Sequence, residues 1–125
     1  MKKYSREKGL ELFDEVYARS LGQLPAPGVS EFTDYMLETL FGTLWADDRL
    51  SIRDRRLMLL GVAAAQGDEN ILGIQIRSAL KRGELKVEDL ELIAIFLTQY
   101  VGYPRGSRLF LLVSKIKAEL AGADK

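Results

Sequence analysis

Apolar positions recur three and four residues apart in six blocks of the chain, and they do not alternate at period two over any convincing length. That recurrence predicts helices and no sheet. Ser5 can cap a first helix over REKGLELFDEVYARS, with Leu10, Phe13, Val16 and Tyr17 at helical spacing. LGQLPAPG is a loop holding two of the three prolines. Ser30 can cap a second helix, EFTDYMLETLFGTLW, whose stripe reads Phe32, Tyr35, Met36, Leu40 and Leu44. Ser51 opens a third helix with Asp54 three residues on, a capping-box-like arrangement at the positive end of the helix dipole. Within it, Leu57 to Ala65 is apolar all round, which predicts burial on every side. A fourth helix, DENILGIQIRSALKR, starts with two acids, ends with two bases and stops at Gly83. VEDLELIAIFLTQYV is a fifth helix closed by Gly102, and Pro104 starts a sixth with Leu109, Leu112, Val113, Ile116 and Leu120 on one stripe. The expectation is an all-α, single-domain bundle of six helices over residues 1–125.

Composition narrows the chemistry. The 125 residues are 47% hydrophobic and 29% charged, the balance of a globular chain with a real core. Eighteen basic residues offset eighteen acidic ones, and no segment is strongly one-signed, so a nucleic-acid partner has no electrostatic support. The opening MKKYSREKGLELF has scattered charge and no apolar core of a signal peptide, and no apolar run approaches the ~20 residues that span a bilayer. A cytoplasmic location with no membrane partner is the resulting expectation. The chain contains neither histidine nor cysteine. That removes thiol peroxidase chemistry, Cys-His and Ser-His nucleophile pairs, and the usual nitrogen–sulfur zinc site. No acidic cluster has the spacing of an oxygen-only metal site, so no metal and no cofactor are implied.

The stretch from about Phe41 to Phe110 resembles the carboxymuconolactone decarboxylase family, a branch of the alkylhydroperoxidase-D-like superfamily. FGTLWADDRLSIRDRRLMLLGVAAAQG is similar to the family's tryptophan-bearing turn followed by an arginine entering a long apolar helix. IQIRSALKRG is similar to its helix with an alanine-rich end and closing glycine. Tyr100, Gly102 and Pro104 in QYVGYPRG match its Tyr-x-Gly-x-Pro signature. Residues 5–45 resemble the usual leading helices. The resemblance implies an all-α fold assembling into a homo-oligomer (a dimer, trimer or hexamer), with a pocket near the third, fourth and fifth helices close to a subunit boundary. Relatives include lyases that decarboxylate a carboxylated lactone by proton transfer, and cysteine-bearing relatives reduce peroxides. This chain departs from that pattern at its chemistry. Gln75 stands where the decarboxylases carry a histidine, Ile71 where an acid usually stands one turn before it, and Leu92 or Glu91 where a second acid is common.

Four residues are candidates for substrate binding, and no catalytic residue is assigned. Gln75 is either a half-buried helix amide or an amide that holds a ligand oxygen; it cannot act as a general base near neutral pH. Arg55 is either a helix-start arginine paired to an acid such as Asp54, or a guanidinium that clamps a substrate carboxylate. Tyr100 either fills a core with its ring or, as a catalytic acid, needs a nearby cation to lower its pKa; Trp45 either packs over a helix end or binds a cofactor; both are taken as substrate-binding candidates. Gly106 and Ser107 offer donors near a helix start. The almost wholly apolar LELIAIFL of the fifth helix predicts a second copy of the chain as partner, because a monomer seldom exposes so large a patch. Two functions follow. One is a small-molecule lyase or isomerase acting on a carboxylated cyclic substrate without His or Cys. The other is a catalytically degenerate homo-oligomeric protein that binds a ligand or serves a structural role.

Overall fold

The computed structural model describes residues 5–123; the ends of the expected 1–125 domain lie outside the described residues. Helix α1 (Arg6–Val16) is followed by α2 (Glu31–Tyr35), which runs without a break into a π-helical stretch (Met36–Trp45). Then come α3 (Ile52–Gln66), α4 (Glu69–Lys81), α5 (Val87–Val101) and α6 (Tyr103–Ala123), with no strand among the described residues. The chain divides into two compact units, residues 1–55 and 56–125.

In the first unit, Ser5 caps α1 by accepting from the Lys8 N–H at 3.1 Å. The helix stops at Val16, short of the expected Ser20, because Ala18 and Arg19 turn left-handed, with φ of 53° and 56°. Their N–H groups return to Glu15 and Asp14, which satisfies carbonyls at the helix end. Ser30 caps α2 through the Thr33 N–H. The expected stripe on the second helix is corrected: in α2 Thr33 faces inward in place of Phe32 and Tyr35, and the π-winding resets the face beyond it. Phe32, Tyr35, Leu40 and Leu44 are exposed, whereas Leu37, Phe41 and Trp45 are buried. Hydrogen bonds from i to i+5 widen each turn, so a face extrapolated at 3.6 residues per turn drifts off the one that packs. The buried face meets α1 at close range. A Cβ on Gly9 would sit 1.7 Å from the Leu37 carbonyl oxygen, so only glycine permits this backbone approach. Arg6 then ties the loop down, donating to Asp34 at 2.8 Å and to the Pro25 carbonyl at 2.7 Å.

In the second unit the core is one cluster drawn from every helix: Leu60 and Ala64 of α3, Leu72, Ile76 and Ala79 of α4, Leu90 and Ala94 of α5, and Leu109, Val113 and Ile116 of α6. The expectation that α3 is buried on all sides is corrected. Leu60, Ala63 and Ala64 are buried, but Met58 and Val62 are exposed. The same division marks α5, where Leu90, Ala94 and Thr98 face the core while Leu92, Ile95 and Phe96 face out. Asp68 caps α4 by accepting from the Ile71 N–H. Gly67 and Gly102 close α3 and α5 at φ of 70° and 89°, as their positions predict.

Candidate functional site

The expected site position, Gln75, lies on the buried face of α4 and is only 3% exposed. Its partner is Arg56, one residue beyond the arginine singled out from the sequence. Arg56 is fully buried in α3 and donates through Nη1 to Gln75 Oε1 at 2.6 Å. Its other edge forks onto Glu84, Nε to Oε1 at 3.0 Å and Nη2 to Oε2 at 3.1 Å. Arg82 donates to the same carboxylate from Nε. The backbone explains how Glu84 gets there. Gly83 adopts φ of 74°, and the N–H groups of Gly83 and Glu84 bond back to Leu80 and Ala79. This reversal folds the α4–α5 connection toward the first turns of α3. Arg56, Gln75, Glu84 and Arg82 thus form one buried or near-buried polar network within the second unit. A buried guanidinium is tolerable only when a carboxylate and further acceptors meet it, and here both do. One turn along α4, the Ser78 hydroxyl is buried without a hydrogen-bond partner among the described residues.

The other sequence candidates sit apart from this network. Arg55 donates to three backbone carbonyls, Leu50 at 2.6 Å, Asp47 at 2.7 Å and Trp45 at 3.4 Å. It therefore holds the turn between the π-helix and α3; the expected pairing with an acid is corrected to carbonyl capping. Trp45 is buried and stacks on Phe41, ring centroids 5.8 Å apart and 5° from parallel. Tyr100 is 78% exposed, with its ring 5.2 Å from Phe96. It does not fill the core of its own chain, because α5 turns that face outward. Arg77 pairs with Glu119 at 3.1 Å on the surface. Ile71, Leu92 and Phe96 are all exposed.

A groove of about 210 Å³ between α5 and α6 is open to a small molecule. Ala94, Ile95 and Phe110 give it apolar walls, and Gly106 and Ser107 lie on its α6 side. The Thr98 hydroxyl is already spent on the Ala94 carbonyl at 2.6 Å, and the Gln99 amide nitrogen on the Ile95 carbonyl. Among the described residues that line the groove, Tyr103 is the only titratable one. Among the described residues there is no group of three or more acids that could hold a metal ion, and no helix is long and apolar enough to cross a membrane.

Arg56 was legible in hindsight from periodicity. It stands four residues before Leu60 and eight before Ala64, on the stripe that packs inward. No curated protein matches the chain. The sequence model of the carboxymuconolactone decarboxylase family, by contrast, matches residues 30–115, from α2 into the middle of α6, and includes the Gln75 position. A match over well above half of the chain, on an all-helical fold, shows that the chain belongs to the carboxymuconolactone decarboxylase family.

Proposed function

We propose that this protein is a homo-oligomeric member of its family that binds a small ligand without acid–base or thiol chemistry. One observation carries the reading: the side chain at the family's histidine position is an amide whose oxygen accepts from buried Arg56. An amide exchanges no proton near neutral pH, and general acid–base help is typically worth ~10²–10⁴-fold. Gln75 is a strut in an ionic network and has no means of taking a substrate proton. Thiol cycling is ruled out more simply, because the chain has no cysteine.

The exposed apolar side chains on α3 and α5 support assembly. Met58, Val62, Leu92, Ile95 and Phe96 stand clear of the core, and family members are often oligomers. The α5–α6 groove supports a small ligand held mainly by apolar walls, with Tyr103 and Ser107 hydroxyls at hand to orient it. The lyase alternative requires a proton-moving group at a ligand, and Tyr103 is where that group would have to be.

The test is turnover of gamma-carboxymuconolactone by the purified wild-type chain, followed by loss of substrate absorbance beside a histidine-bearing relative. The rate should match the no-protein control. Robust turnover at wild-type Gln75 would remove this reading and restore the lyase.

A further inference from the structure

We infer that Arg105 and Arg108 form a binding site for the carboxylate of a small organic acid, on a face of α6 other than the one lining the α5–α6 groove. The two guanidiniums converge. The point where a Cβ on Gly67 would sit is 3.5 Å from Arg108 Nη1 and 3.8 Å from Arg105 Nε. They border a concave space of about 360 Å³ whose other walls are Gln66, Gly67, Val101 and Pro104. Neither arginine has an acidic partner among the described residues, unlike Arg56, Arg77 and Arg82. Asp68, next to Gly67 in sequence, accepts from the Ile71 N–H as the cap of α4.

Two like charges aimed at one space repel each other, and an anion placed between them relieves this. Planar guanidinium forks match a two-oxygen carboxylate, with charge-assisted bonds of about 2.8 Å. The positive end of α6 borders the space, and so do the negative ends of α3 at Gln66 and α5 at Val101, so the attraction for an anion comes from the two guanidiniums. Val101 and Pro104 supply an apolar wall for the body of the acid. Charge selects the head group, and the wall selects an organic acid over a bare inorganic ion. The inference does not depend on the role proposed for Gln75.

The test titrates the full chain with benzoate, acetate and phosphate at constant ionic strength set with chloride. Calorimetry gives the affinity, and backbone amide shifts of Gln66, Gly67 and Arg105 give the location. The variants are Arg105→Gln and the double variant Arg105→Gln/Arg108→Gln. Both side chains are exposed, so the fold should be retained, as checked by circular dichroism. Benzoate should bind more tightly than acetate or phosphate, shift those amides, and lose about tenfold in affinity per guanidinium removed. Shifts that chloride reproduces, or undiminished benzoate binding by the double variant, would overturn the site. Phosphate binding more tightly than benzoate would overturn its assignment to an organic carboxylate. Dissociation of the assembly in the double variant, with no benzoate binding to wild type, would show that the arginines meet acids of a second copy and would overturn it too.

Discussion

Replacing Glu84 with Gln should unfold this protein far more readily than a surface substitution does. Glu84 accepts from Nε and Nη2 of Arg56 and from Arg82. Its side chain is 7% exposed and that of Arg56 0%, so solvent cannot take over either role. Glutamine keeps one acceptor oxygen and turns an NH₂ group toward a guanidinium that can only donate. The variant therefore leaves a buried cation without its counter-charge. Breaking a buried pair from one side costs about 3–5 kcal/mol. The lower half of that range applies here, because Gln75 still accepts from Arg56 and Arg82 reaches partly into solvent. A loss of about 3 kcal/mol is a large share of the 5–15 kcal/mol typical of a domain. At this chain length it corresponds to a fall in Tm of roughly 10–15 °C. Urea denaturation followed by helical circular dichroism measures it, with Glu91→Gln as the control, since the Glu91–Lys117 pair lies on the surface. A loss below about 0.5 kcal/mol, the range of an ordinary surface change, would refute the reasoning, because it would mean that Arg56 does not depend on Glu84.

Further outcomes follow from the same structure. Gly9→Ala should destabilise the first unit by about 1–3 kcal/mol, because the new methyl meets the Leu37 carbonyl at 1.7 Å and the π-helix must move; thermal melting checks it. The Arg6 hydrogen bond, helped by the Gly28 N–H, holds the Asp34 carboxyl below the usual carboxylate range. A depressed folded-state pKa contributes stability above the unfolded value, and that contribution is lost as the pH falls through the folded one. Asp34→Asn should therefore flatten the acid limb of stability below about pH 4, and an acid limb identical to wild type would count against the pairing. Sedimentation at micromolar concentration should show a species larger than the monomer, and Leu92→Glu with Phe96→Glu should reduce it. No thiol-dependent peroxidase rate should rise above the no-protein control.

The helices were largely legible in the sequence because their ends are set locally. Ser5, Ser30 and Asp68 each cap the helix they precede, and Gly67, Gly83 and Gly102 end theirs in the positive-φ region. Two features were not legible, for different physical reasons. The π-winding of Met36–Trp45 changes the turn length, so a stripe read at α-helical period points the wrong residues inward. No local residue announces it, since it goes with the close contact of Gly9 and Leu37, far apart in sequence. The second is the partner of Arg56: periodicity puts Arg56 on the inward stripe, but the acid that meets it is set at a distance. Adjacent helical residues point about 100° apart, and Arg56 is met by Glu84, 28 residues on. Arg55 meanwhile finds carbonyls in the turn that precedes α3. The Gln75 position was identified by resemblance to the family, but its contact with a buried guanidinium depends on a pairing across two helices.

Gln75 is coupled to Arg56, and a double-mutant cycle in folding stability measures that coupling. Gln75→Leu, Arg56→Met and the double variant are unfolded in urea beside the wild type. Each single change leaves a buried polar partner unsatisfied, while the double change removes both ends of the bond. The account predicts that the double variant loses less stability than the two singles combined, by at least about 1 kcal/mol. Additivity within about 0.3–0.5 kcal/mol would contradict it, leaving Gln75 uncoupled from the network and its amide open to a ligand.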